Sequence, residues 1–183
     1  FMTLSAHKIF GPKGVGLLYA RQTDHLASII TGANQERGLR AGTENVPAIV
    51  GFGEAVEITE KMRVKESARV MKLRNYFWEK LKANIPKLEL NNNLEVGLPY
   101  ILNIYFPQIK AHDLLIAMDM KGITASAGSA CQARLTEPSS IILALGYDEK
   151  RASSSIRFSL GRATIKKDIE TTVREIKNII DLL

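Results

Sequence analysis

Ile9-Phe10-Gly11-Pro12-Lys13-Gly14-Val15-Gly16, followed by Leu17-Leu18-Tyr19-Ala20, decides how the chain is organised: a Gly/Pro turn feeds a short apolar run. This pattern predicts a buried strand entered from a tight loop. A strand needs neighbours for its backbone donors and acceptors. The partner is expected from a segment upstream, so the chain reads as beginning in mid-domain. Beyond the strand, residues 32–45 turn polar and glycine-rich, with Gln35, Glu36, Arg37, Arg40, Thr43, Glu44 and Asn45 crowded together. This predicts a loop.

Two helical patterns follow. Val46, Ile49, Val50 and Val56 recur at helical spacing, with Pro47 where a first turn tolerates it. In the second pattern Val70, Leu73, Phe77, Leu81 and Ile85 form an apolar stripe, Arg69, Lys72, Arg74, Glu79 and Lys82 are expected to face water, and Pro86 stops the helix. Shorter elements succeed them. Leu88-Glu89-Leu90, Tyr100 to Phe106 and Ile123-Thr124-Ala125-Ser126 read as strands, punctuated by Asn91-Asn92-Asn93 and Pro107. His112 or Asp113 is expected to cap a helix carrying Leu114, Leu115 and Met118, with Gly122 at its end. Pro138 suits the first turn of a helix through Ile141, Ile142 and Leu145 that Gly146 closes. Ser155-Ile156-Arg157-Phe158-Ser159-Leu160 alternates like a half-exposed strand. Ile169, Val173, Ile176, Ile180 and Leu183 line one face of a last helix, with Thr164 as its expected cap. The fold class is α/β.

Composition narrows the function classes. The 183 residues carry 25 basic and 19 acidic side chains, a net charge of +6, but the basic residues are mixed with acidic ones and form no block. That distribution argues against a nucleic-acid footprint. No apolar run approaches the ~20 residues that cross a bilayer, and no secretory leader pattern opens the chain, so a cytoplasmic location is expected. His7, His25 and His112 are too dispersed to predict a zinc site.

Three residues raise chemical questions. Lys8 follows Ser5-Ala6-His7 and precedes the Gly/Pro turn; it is either an ordinary surface lysine or a Schiff-base lysine whose amine must shed its proton. Lys13 lacks the spacing and Gly-Lys-Ser/Thr ending of a phosphate loop. The single cysteine, Cys131, excludes an internal disulfide. A free cysteine is commonly a small core hydrophobe, yet its neighbours in Ser126-Ala127-Gly128-Ser129-Ala130-Cys131-Gln132-Ala133-Arg134 are small and polar, which predicts a loop, where Arg134 would favour the thiolate. Both readings stay open. Arg157 is either an exposed strand residue or a clamp for a carboxylate, which a planar guanidinium grips with two hydrogen bonds.

Taken together, SAHKIFGPKGVGLLY, NQERGLRAGTENVPAIVGFGEA, SAGSACQARLTEPSSIILALG and SSIRFSLGRAT, in this order, closely resemble the C-terminal half of the NifS/IscS-like cysteine desulfurases. These are class-V aminotransferase relatives with the fold-type I architecture of pyridoxal phosphate enzymes. The resemblance runs from Leu4 to the terminal helix. It implies the end of a large cofactor-binding domain in residues 1–60, a connecting helix in 61–86, and a small α/β domain in 87–183 that carries the cysteine loop.

The resemblance also assigns roles. Lys8 matches the lysine that holds pyridoxal 5'-phosphate and moves protons; Ser5 and His7 match residues beside the cofactor. Thr43 is similar to the threonine that reaches the phosphate of the partner subunit's cofactor, which implies a homodimer. Arg157 matches the arginine that receives the substrate carboxylate, and Cys131 matches the nucleophile that takes sulfur from L-cysteine, leaving L-alanine and an enzyme persulfide. No intrinsic metal is implied, although Cys131 is a transient iron-sulfur ligand candidate with a scaffold partner. Implied partners are L-cysteine and an iron-sulfur scaffold or other sulfur-acceptor protein, with no nucleic acid and no membrane. Thr31-Gly32-Ala33-Asn34 and Gln132-Ala133-Arg134-Leu135 depart from the family's usual glycine-rich and Ser/Thr-rich stretches. The histidine that stacks on the cofactor ring and the aspartate that pairs with its nitrogen belong to the family's N-terminal half, so this chain is expected to be a C-terminal fragment that is not competent alone. The alternatives are a selenocysteine lyase or other pyridoxal phosphate relative, and a non-catalytic binding module.

Overall fold

The computed structural model describes residues 1–23, 25–128 and 138–182. The chain divides into two compact units, Phe1–Val64 and Lys65–Leu183. In the first unit β1 (Met2–Ser5) pairs antiparallel with β2 (Gly16–Tyr19), in the register Met2↔Tyr19 to Ser5↔Gly16. One partner of the apolar run is therefore Met2–Ser5, inside this chain. Gly16 makes this pairing possible, because a Cβ at that position would lie 2.8 Å from the carbonyl oxygen of Leu4. The expected burial of β2 is not met within the chain: Leu17, Leu18 and Tyr19 are each about half exposed.

The two helical patterns are one helix. α1 (Val46–Asn84) runs unbroken for 39 residues, and the boundary between the units falls inside it. The stretch between the stripes lacks apolar periodicity because it is held by charge. Glu57 with Lys61, Glu60 with Arg63 and Glu66 with Arg69 are ion-paired at helical spacing, a pattern that supports a helix without an apolar stripe. In the first unit the face of α1 with Phe52 and Ala55 is buried. Pro12 lies against Gly51, where a Cβ would come within 2.8 Å of the Pro12 ring.

The second unit holds β3 (Glu89–Leu90), β4 (Ile101–Tyr105), α2 (Ala111–Asp119), β5 (Ser126–Ala127), α3 (Ser140–Ala144), α4 (Glu149–Ser153), β6 (Ser155–Ser159) and α5 (Lys166–Ile180). The described strands form one sheet in the order β3-β4-β6-β5, with every neighbouring pair antiparallel. β4 and β5 are thus parallel to each other with β6 between them, and α2 makes the crossover, which is a split βαβ arrangement. Strand alternation sends Leu102, Ile104, Ile156 and Phe158 into a core with Phe77 and Leu81 of α1, Leu114 and Met118 of α2, and Ile169, Val173 and Ile176 of α5. Phe77 meets Phe158 edge to face at 5.1 Å, a geometry that adds about 0.5–1.5 kcal/mol to simple burial. β6 is more buried than its sequence alternation predicts: Ser155 and Ile156 are both inside.

Helix ends correct several expectations. Lys110, not His112 or Asp113, occupies the N-cap of α2, and Gly122 adopts φ +74° where the chain leaves it. Ser139 stands at the N-cap position of α3 without a side-chain capping bond, so Pro138 precedes the helix rather than lying in its first turn. Thr164 does not cap α5: its hydroxyl accepts from the Gly161 amide, while Asp168 reaches back to the Ile165 amide at 2.9 Å.

Two basic residues expected to face water do not. Arg74 is 1% exposed and donates to the carbonyls of Leu94 and Leu98 at 2.7 and 2.9 Å and to the Asn75 amide oxygen. Desolvation lowers its pKa. Arg69 is half-buried and donates to the carbonyls of Gly161, Arg162 and Thr164, pinning the β6–α5 loop to α1. Both use the guanidinium fork to hold carbonyls of irregular backbone, something an apolar stripe cannot reveal.

Removing Arg74 leaves the part-buried Leu94 carbonyl without its donor and takes one of two donors from the Leu98 carbonyl, which keeps the Ile101 amide; a buried acceptor left unpaired costs about 1–3 kcal/mol. Arg74→Ala is therefore expected to lower unfolding free energy by roughly 2–4 kcal/mol in urea titration, with Arg74→Lys recovering less than half, and an unchanged midpoint would refute this account. The hydrogen bond from Arg69 holds the Glu66 carboxyl below its usual value of 4.5, and burial opposes the shift. A depressed folded pKa gives stability that is present above the unfolded value and lost as pH falls through the folded one. Below about pH 4.5 the thermal midpoint is expected to fall less steeply in Glu66→Gln than in the parent, and parallel acid profiles would count against the pairing.

Candidate functional site

Ser5 ends β1 and the chain then makes a 3₁₀ turn, Ala6–Ile9, which Phe10 terminates at φ +66°. Ala6 is fully buried; its amide donates to the Val15 carbonyl, and its own carbonyl accepts from the Gly11 amide. One small buried residue thus anchors a turn that presents Ser5, His7 and Lys8 at the surface of the first unit. Ser5 stands at the N-cap position, yet its hydroxyl makes no capping bond, which leaves it available to an external acceptor or donor. The left-handed conformation at Phe10 is unfavourable for a bulky residue, and the Gly11 contact with Ala6 and Ala55, where a Cβ would sit 3.1 Å from both, keeps the following backbone close.

Thr43 lies in the polar loop of the same unit and is exposed. In that loop Glu36 and Arg37 both adopt positive φ, and Gln35 accepts from the Gly42 amide at 3.2 Å. Successive left-handed residues without glycine cost of order 1–3 kcal/mol each.

Arg157 belongs to the second unit. It sits in the middle of β6, directly opposite Asn103 of β4 on one side and Ser126 of β5 on the other. Its strand is paired along both edges, so the side chain stands on a fixed base. Its Nε is buried without a hydrogen-bond partner among the described residues. Such a donor carries a desolvation cost of about 1–3 kcal/mol until something accepts from it. Cys131 lies outside the described residues; in sequence it follows β5.

On the same face as Arg157, a polar network runs across the sheet. Arg151 donates from Nε to Asn91 Oδ1 at 2.6 Å and from Nη2 to the Leu90 carbonyl, and it pairs with Glu89. Its guanidinium lies 4.1 Å from the Tyr147 ring and 5.0 Å from the Tyr105 ring. Asn91 Nδ2 in turn donates to Asn103 Oδ1 and Ser155 Oγ, both at 2.8 Å. Sequence reading placed Asn91 in a turn and Asn103 in a strand without giving either a role. The available signal was Asn103 itself, an amide in the middle of the apolar run Tyr100 to Phe106. A separate cavity of about 570 Å³ opens beside the start of α5, near Thr124, Thr164 and Lys167, and Arg157 is not in its lining. Among the described residues no helix is long and apolar enough to cross a membrane, and no cluster of metal-ligating side chains occurs.

The aminotransferase class-V family model matches residues 1–172. Among known proteins the chain is 40% identical over 185 residues to cysteine desulfurase IscS 1 of Archaeoglobus fulgidus, covering all of this chain and 47% of the relative. It is 41% identical to cysteine desulfurase IscS of an Enterobacter species, again over the whole chain and 45% of the relative. A solved NifS-like protein superposes with a TM-score of 0.88 at 32% identity, over 99% of this chain and 46% of the other. The chain spans about half the length of the relatives it matches.

Since β1 and β2 touch at Gly16, a side chain there must push the Ser5 end of the hairpin away. Gly16→Val is expected to speed amide hydrogen exchange at Ala6 and Gly11, whose hydrogen bonds close the turn, and unaltered exchange would mean that the hairpin does not position the turn.

Proposed function

The chain belongs to the class-V aminotransferase family, and from that premise we propose that it forms part of a pyridoxal phosphate-dependent cysteine desulfurase that converts L-cysteine to L-alanine. The observation that carries the reading is Arg157: a guanidinium on a strand paired at both edges, with a buried Nε that lacks an acceptor. A substrate carboxylate supplies what that donor lacks, and a bidentate pair fixes the amino acid's orientation. The names of the relatives, cysteine desulfurases over the whole chain, support the same reaction.

The donor set of the Ser5–Lys8 turn fits pyridoxal phosphate. Ser5 offers an uncommitted hydroxyl and His7 an exposed imidazole, both suited to a phosphate, and Lys8 offers the amine that an aldehyde requires. When bound, the cofactor supplies an electron sink for chemistry at the amino acid's α-carbon. Lys8 holds it and, once released, carries a proton at Nζ to and from the substrate. Thr43 extends the phosphate site, in the reading adopted here to the cofactor of a second subunit in a homodimer. Arg157 orients the substrate by its carboxylate. The Cys131 thiolate takes the substrate sulfur, so that L-cysteine and a thiol become L-alanine and a persulfide.

The persulfide then passes to an acceptor, for which an iron-sulfur scaffold protein is the proposed partner. The work is assigned to the cytoplasm. Residues 1–60 are proposed as the end of the cofactor-binding domain and 87–183 as the small domain. The 183 residues alone are expected to be incompetent, because the groups that stack on and pair with the cofactor ring are proposed to lie in the family's other half.

Borohydride reduction of the whole enzyme, this chain joined to the other half, followed by peptide mapping is expected to find the cofactor on the peptide containing Lys8 and none in Lys8→Ala; a cofactor on another lysine overturns the assignment. Arg157→Ala is expected to raise KM for L-cysteine by roughly two orders of magnitude, from the loss of charged hydrogen bonds, with a smaller fall in kcat. An unchanged KM would remove the carboxylate role.

A further inference from the structure

Resting on the reading of Arg157 as the carboxylate site, we infer that the side-chain amide of Asn103 is a second donor to the same carboxylate and makes the site select an acid over an amide. A guanidinium can only donate, so the 2.6 Å contact from Arg151 Nε requires Asn91 to present its oxygen there. The Asn91 NH2 must then face Asn103 and Ser155. Ser155 agrees independently: its hydroxyl hydrogen is spent on the Arg151 carbonyl at 2.7 Å, so toward Asn91 it accepts. Asn103 therefore turns its oxygen to Asn91 and keeps its NH2 for another group.

No described residue accepts from that NH2, while the Asn103 backbone is held by the Asn92 side chain at 2.9 Å. Asn103 is also the direct cross-strand partner of Arg157. Such partners share a face with Cβ atoms about 4.5–5.5 Å apart. Two neighbouring donors, one charged and one neutral, thus lie on one face of the sheet without an acceptor, the complement of a carboxylate's two oxygens. Arg151, stacked near Tyr147 and Tyr105, is the positioning residue that fixes the chain of amides. It does not itself touch the substrate.

The test is calorimetric titration of the holoenzyme with L-alanine, which carries the same carboxylate, with L-alaninamide, and with ethylamine, which has neither group. Asn103→Asp replaces the donor by an anion of the same shape. It is expected to weaken L-alanine binding roughly 10- to 100-fold, as loss of a hydrogen bond to a charged group implies, to leave ethylamine unchanged, and to tighten L-alaninamide, whose NH2 gains an acceptor. Equal loss for all three ligands, or no loss for L-alanine, overturns the inference. If Asn103→Asp does not fold, Asn103→Ala is expected to weaken L-alanine at least tenfold and spare ethylamine, and failure of that difference overturns it equally. Arg157→Ala in the same titration separates the two levels. If it leaves L-alanine binding intact, the carboxylate site itself is wrong; if it abolishes binding while the Asn103 variants behave as the parent, only the second donor falls.

Discussion

The double-edged pairing of β6 is the constraint that the rest of the second unit depends on. β6 lies between β4 and β5, and its side chains alternate between two unlike environments. One set, Ile156 and Phe158, closes the core against α1, α2 and α5. The other puts Arg157 on the opposite face. Because a one-residue slip would exchange these sets, burying the core residues and aiming Arg157 are one event. The cost of misplacing Phe158 from its edge-to-face contact with Phe77 enforces the position of a residue that contributes nothing to that contact.

This arrangement also links the proposed carboxylate site to the strand that precedes Cys131 in sequence. β5 hydrogen-bonds along β6, with Ser126 opposite Arg157, and Cys131 follows β5 in sequence. The strand that precedes the proposed nucleophile is therefore registered against the strand that carries the proposed carboxylate site. The first unit follows a parallel logic at smaller scale. One buried alanine, Ala6, and one close backbone approach at Gly16 fix the turn on which Ser5, His7 and Lys8 are displayed. In both units the groups assigned to chemistry are set by neighbours whose own role is packing or backbone pairing.

Much of this was legible in the sequence where burial dictates pattern. The apolar stripe of Val70, Phe77 and Leu81, the strands around Ile104 and Ile156, and the terminal helix all follow from periodicity. Charge and backbone chemistry hid the rest. The join between the two helical stripes is made by Glu-Lys and Glu-Arg pairs, which leave no hydrophobic signature. Arg74 and Arg69 looked like solvated positions because a sequence does not show which loop carbonyls need donors. β1 was missed because the pairing of Met2–Ser5 depends on a missing Cβ at Gly16 rather than on an apolar pattern. Of the residues proposed for chemistry, Ser5, His7, Lys8, Thr43, Cys131 and Arg157 came from motif resemblance, whereas the donor network through Asn91 and Asn103 required coordinates.

The most direct test of the central claim is where sulfur goes. The whole enzyme, with this chain joined to the half that the relatives carry and loaded with pyridoxal phosphate, is incubated with L-cysteine without an acceptor, alkylated and digested, and the peptides are weighed. One added sulfur atom is expected on the peptide containing Cys131, together with L-alanine in equal amount. Alanine formed without sulfur on that peptide, or sulfur retained by a Cys131→Ser variant, would contradict it.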